Sequence, residues 1–220
     1  MLKSFIEDNL YISYTNKQNV KIFERAHYKF DKLKFFDPYV EDIYIHSAIK
    51  FFQSGKYKDA FDDIERILQI LKNIAPLKQS YPLFLRGIMH RCLKNCSSAL
   101  DDFNQSISID INEENLLYRA LIKNELGDKK GAIYELNWLL NKYHYDTDDA
   151  YFYRALIKSR FGDKVGALKD LNELINQNIE HTYAYALRSH VYRKLGNIKK
   201  SESDKSKVFD LKLYERCKIN

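Results

Sequence analysis

One phrase occurs twice in this chain at a fixed offset. Residues 118–133 read Tyr-Arg-Ala-Leu-Ile-Lys-Asn-Glu-Leu-Gly-Asp-Lys-Lys-Gly-Ala-Ile. Residues 153–168, 35 positions later, read Tyr-Arg-Ala-Leu-Ile-Lys-Ser-Arg-Phe-Gly-Asp-Lys-Val-Gly-Ala-Leu. A weaker copy follows, with Arg188 and Gly196 standing 34 positions after Arg154 and Gly162. Self-similarity at this period means one supersecondary unit per repeat, and such a unit buries its apolar face only by stacking on its neighbours. A stack makes an extended surface rather than a closed catalytic pocket.

Small residues mark the register. Ala60, Ala99, Ala132, Ala167 and Ser201 are spaced by 39, 33, 35 and 34 residues, and twelve residues before each stand Ala48, Gly87, Ala120, Ala155 and Ser189. Small side chains at both places let two antiparallel helices cross closely. Between them, Gly55, Gly127, Gly162 and Gly196 are read as left-handed caps that end the first helix, with Lys94-Asn95 in that place in the second unit. Leu116, Ala120 and Lys123 mark a stripe on one first helix. The second helices show apolar residues at i, i+4, i+7 and i+8: Ala132, Leu136, Leu139 and Leu140, then Ala167, Leu171, Leu174 and Ile175. That spacing buries one face of a helix. Seven glycines and three prolines suit long helices joined by short turns.

The pattern resembles the tetratricopeptide repeat, a helix-turn-helix unit of 34 residues with small residues at its eighth and twentieth positions and Gly-Asp at its turn. The resemblance implies an all-α fold, a right-handed α-α superhelix (solenoid) of five to six repeats. They fall at about 41–74, 80–112, 113–147, 148–181 and 182–212, between a degenerate N-terminal helix pair or repeat at 1–40 and a tail at 213–220. Ala26, Phe30, Leu33 and Asp37-Pro38 carry the sixth unit, near residues 7–38. The family's large aromatic near position four is weak here, at Tyr44, Leu83, Leu116, Tyr151 and Tyr185. Extra residues around Asn73–Leu77 lengthen the first connection, which implies a changed twist or a small hinge. Ser201 and Lys205 place polar groups on a normally apolar stripe, as expected of a terminal helix exposed to water.

A charge pattern goes beyond the repeat consensus. Arg86, Arg119, Arg154 and Arg188 each precede a small residue, and sixteen positions after each stands an acid: Asp102, Glu135, Asp170 and Asp204. The plain reading is a structural ion pair inside each hairpin. The alternative is an arginine ladder for an acidic ligand, weakened by each arginine having its own acid.

The resemblance implies that first helices line a concave groove. Helical spacing assigns to it Ile45, Ile49 and Phe52; Phe84, Ile88 and Arg91; Leu117, Leu121 and Asn124; Phe152, Leu156 and Ser159; and Ala186, His190 and Arg193. Exposed, these form an apolar trough for an amphipathic helix or extended peptide of another protein; packed, they are core. Arg91, Arg160, Arg193 and Lys194 stand on one rim, and Asp42, Glu114 and Asp149 on the other. The carboxylate clamp of chaperone-tail adaptors is not expected, because Ile45, Ile49, Leu85, Tyr81 and Tyr118 occupy its positions. A second reading takes Arg188, Arg193, Lys194, Lys199 and Lys200, with Tyr185 and Tyr192 as stacking platforms, as a surface for RNA.

Other classes are not indicated. The net charge of +6 permits an acidic partner without requiring one. No glycine-rich phosphate loop, HExxH or GxSxG motif occurs, so no enzyme and no cofactor is expected. Cys92 and Cys96, with His90, lack the spacing and the fourth ligand of a metal site. Three cysteines, Cys92, Cys96 and Cys217, make no disulfide framework and fit reduced thiols in the cytoplasm. Met1–Tyr14 has no apolar core of a secretory signal, and no run approaches the roughly 20 apolar residues that span a bilayer.

Overall fold

A first helix can reverse into a second within a few residues only if one residue takes the left-handed conformation, and the chain supplies it at each turn. The computed structural model describes residues 38–142 and 148–217. The sixth unit read at residues 7–38 therefore lies, but for Pro38, outside the described residues. These form ten α-helices: α1 (Pro38–Gln53), α2 (Tyr57–Ile74), α3 (Ser80–Cys92), α4 (Cys96–Ile109), α5 (Glu113–Glu125), α6 (Lys129–Lys142), α7 (Asp148–Phe161), α8 (Lys164–Gln177), α9 (Thr182–Lys194) and α10 (Ile198–Cys217). The fold is an all-α helical repeat. It divides into two compact units, one holding residues 38–127 and the other residues 128–217 of those described.

In the first unit α1 pairs with α2 and α3 with α4, and α5 packs on α4. Ala48 and Ala60 are both fully buried where α1 crosses α2. At the next crossing Gly87 lies so close to Phe103 that a Cβ there would stand 2.8 Å from the ring. In the second unit α7 pairs with α8 and α9 with α10, α6 packs on α7, and α8 on α9. Ala155 and Ala167 are the buried small pair of α7 and α8.

Gly55, Gly127, Gly162 and Gly196 have φ of 79°, 91°, 95° and 78°. Lys94 takes the same place at φ 64°, in the region that a Cβ disfavours. The amide that follows closes the turn: Asn95 N–H donates to the His90 carbonyl at 2.9 Å, as Lys56 donates to Phe51 at 2.8 Å. Lys94→Gly is therefore expected to stabilise the protein by about 0.5–1 kcal/mol, the relief of strain exceeding the added freedom of the unfolded chain. Urea denaturation checks this; a loss of stability would show that the Lys94 side chain does something the turn needs.

The second helices start on the aspartate of the repeated Gly-Asp pair. Asp163 accepts a hydrogen bond from Gly166 N–H at 2.8 Å, and Asp128 from Gly131 N–H at 2.9 Å. A Cβ on either glycine would lie 2.0–2.1 Å from the capping carboxylate, which accounts for the second glycine of each phrase.

Three expectations change. The extra residues of the first connection do not form a loose hinge. They extend α2 to Ile74 and make a 3-10 turn, Pro76–Gln79, held by Gln79 Nε2 donating to the Leu68 carbonyl at 2.9 Å. Ser201 is completely buried rather than exposed to water. The Ser189 hydroxyl donates to the Ser201 carbonyl at 2.9 Å, and the two hydroxyls lie 3.0 Å apart. Paired hydroxyls satisfy one another, so two serines do the work of two alanines. Lys205, on the same helix, is exposed. The segment read as a tail from 213 continues α10 to Cys217.

Candidate interaction surfaces

Positions three or four apart on a first helix share a face, so the assigned groove residues do lie in rows. Most of those rows are closed. In the first unit Ile45, Ile49, Phe52, Phe84, Ile88, Arg91 and Leu121 are buried, and Leu117 and Asn124 are half-buried. In the second unit Phe152, Leu156 and Ser159 are buried, Ala186 and His190 half-buried, and Arg193 exposed. The open apolar trough is thereby corrected to a packed layer. Aromatic rings are the physical reason: Phe84 meets Tyr118 edge-on at 5.6 Å and Phe103 at 5.9 Å, and Phe152 lies 5.7 Å from both Tyr153 and His181.

Arg91, placed on a rim by the sequence, is an interior group. Its guanidinium donates to Glu125 Oε1 from Nε at 3.0 Å and from Nη2 at 2.8 Å, and it lies over the Tyr118 ring at 5.5 Å. Cys96 Sγ contacts Glu125 Oε2 at 3.6 Å. Burial pushes both the Cys92 and the Cys96 thiols up, with Glu125 adding to the effect on Cys96. Such thiols rest protonated, a poor state for a nucleophile or ligand. Of the other rim residues, Arg160, Lys194, Glu114 and Asp149 are half-buried; the side chain of Asp42 lies outside those described.

The arginines are staples. Arg86 grips Asp102 with Nε at 3.0 and 3.1 Å and Nη2 at 2.6 Å. Arg154 grips Asp170 at 3.0 and 2.6 Å, and Arg188 grips Asp204 at 2.9 and 2.7 Å. The fourth pair has Arg119 in one unit and Glu135 in the other. Planar guanidinium on carboxylate is a strong, directional contact, more so where the acid is buried, as all three of these are. The remaining Nη1 of each arginine reaches back to the preceding second helix. Arg86 meets Glu65; Arg119, Arg154 and Arg188 donate to Asn104 at 3.2 Å, Asn137 at 2.8 Å and Asn172 at 2.9 Å. Arg86, Arg154 and Arg188 thus each tie their own hairpin and also tie it to its predecessor. The sequence reading missed these acceptors, although their signal is plain: Glu65, Asn104, Asn137 and Asn172 each stand five residues after the buried alanine of the second helix.

The stacking platforms of the RNA reading are already occupied. Tyr185 is buried, with Arg188 over its ring at 5.2 Å; Tyr192 carries Arg188 at 5.9 Å and Lys200 at 5.4 Å. Among the described residues no cluster of His, Cys, Asp and Glu is arranged to hold a metal ion. No described helix is long and apolar enough to cross a membrane.

No protein-family model and no curated protein matches the sequence. Solved structures do match. The chain is similar to a tetratricopeptide repeat protein from Parabacteroides merdae at 20% identity and a TM-score of 0.67, over 78% of this chain and 66% of that one. It is similar to BtubC from P. vanneervenii at 11% identity and a TM-score of 0.75, over 91% and 92%. PilW, a widely conserved type IV pilus biogenesis factor, matches at 16% identity and a TM-score of 0.68, over 78% and 77%. The chain has a tetratricopeptide-repeat fold.

Proposed function

We propose that this chain is a non-catalytic scaffold that holds a peptide or helix of another protein against the first-helix faces of its units. One observation carries the reading: each unit leaves part of its first-helix row within reach, Leu117 and Asn124 in one and His190 and Arg193 in the other, on a backing of buried neighbours. Reachable groups on a rigid support lose little freedom on binding, which favours recognition. The polar groups within reach, Asn124 in one unit and His190 and Arg193 in the other, suit hydrogen bonding and orientation of a peptide more than burial of a large apolar anchor.

The experiment places a photo-crosslinking side chain at Asn124, at His190 and, as control, at the exposed second-helix residue Glu173. The expected result is one protein captured at Asn124 or His190 and not at Glu173. Equal capture at Glu173 would move the partner off the first-helix face.

A further inference from the structure

Scattered apolar residues on a surface need no explanation, but four large ones gathered about two adjacent repeat turns do. In the second unit Phe161 ends α7 and Val165 lies at the start of α8; Leu195 follows α9 and Ile198 opens α10. They flank Gly162 and Gly196, the two turns of adjacent hairpins, and are 53%, 76%, 46% and 54% exposed. The two turns are tied side by side, since Lys164 Nζ donates to the Lys194 carbonyl at 3.2 Å. Four large apolar side chains therefore share one edge of the unit.

Cations stand around them. Lys129 Nζ lies 5.8 Å over the Phe161 ring. Lys199 and Lys200 are exposed beside Ile198, and residues 188–200 contain no acid. Of the nearby carboxylates, Asp163 is committed to the Gly166 amide and Glu202 to Lys205 at 2.8 Å and Arg193 at 3.3 Å.

We propose that this turn edge is a docking strip for an acidic amphipathic helix of a partner protein. Apolar side chains at i, i+3 and i+7 of that helix would cover Phe161, Val165, Leu195 and Ile198, and flanking acids would meet Lys129, Lys199 and Lys200. An anionic membrane fits the same cations less well, because the exposed Asp163 and Glu202 would be pressed against negative headgroups, whereas a helix can set neutral side chains opposite them. The strip is independent of the first-helix reading.

The test uses the full chain and a fluorescent helical peptide with leucines on one face and glutamates on its flanks. The glutamate peptide is expected to bind at least about tenfold more tightly than its glutamine counterpart, and binding should weaken as salt rises. Two double variants, Phe161→Ser with Leu195→Ser and Lys199→Glu with Lys200→Glu, should each weaken binding about tenfold. Asn124→Arg, on the first-helix row, should leave it unchanged. All the strip residues changed are exposed, so circular dichroism should match wild type. Undiminished binding in the strip variants, equal binding of the glutamine peptide, or phosphatidylserine vesicles binding through the strip while the peptide does not, would each overturn the proposal.

Discussion

Asp170→Ala is expected to destabilise the protein by about 3–5 kcal/mol, a fall in Tm on the order of 10 °C, and by more than Arg154→Ala. Asp170 is buried and serves two cations: Arg154 donates to it from Nη2 and Nε, and Lys158 Nζ lies 2.9 Å away. Removing the carboxylate leaves two cations facing each other in a half-buried place. Removing Arg154 leaves Asp170 still paired with Lys158, frees the Tyr151 ring of the guanidinium 5.5 Å above it, and leaves the exposed Asn137 to turn to water. That change is expected to cost about 1–2 kcal/mol. Chemical denaturation of both variants decides the matter. Equal losses would mean that the acid matters only as the arginine's partner; a larger loss for Arg154→Ala would mean that the tie to the preceding helix dominates.

The crossing of α3 and α4 gives the second large effect. Phe103 is fully buried and packs against Phe84 and Tyr118, so Phe103→Ala should cost about 3–5 kcal/mol through lost contacts and the cavity left behind. Gly87 sets the sign of a companion test. In the wild type Gly87→Ala pushes a Cβ into the Phe103 ring, a strain of about 1–3 kcal/mol that exceeds the gain of about 1 kcal/mol in helix propensity. In the Phe103→Ala background the ring is gone and only the gain remains. Gly87→Ala should therefore destabilise the wild type and stabilise the variant. If it destabilises both by the same amount, the obstacle is not Phe103.

What the sequence made legible follows from how local each cause is. Hairpins, caps and crossings depend on residues within one repeat, so Gly55, Gly162, Ala155 and Ala167 identify them directly. The Arg-to-acid spacing of sixteen was readable for the same reason, because it closes within a hairpin. Exposure was not. Whether Phe152 and Leu156 face water depends on how the next hairpin stacks, and no spacing within a repeat encodes that. Arg91 shows the same limit, since its partner Glu125 belongs to the following repeat. Asn137 and Asn172 were missed because the arginines they serve lie one repeat further on. Ser201 misled because a hydroxyl was judged without its partner, Ser189.

The arginine staples bear on how such a chain can change length. Asn137 lies in the segment that ends one repeat and meets Arg154 in the next; Asn172 does the same for Arg188. Every copied stretch of 35 or so residues carries an arginine, the acid for it, and the acceptor that the following arginine needs. A gene duplication or deletion of one whole stretch then joins ends that already fit, so whole-repeat steps are tolerated where partial ones leave a cation and its acceptor out of phase.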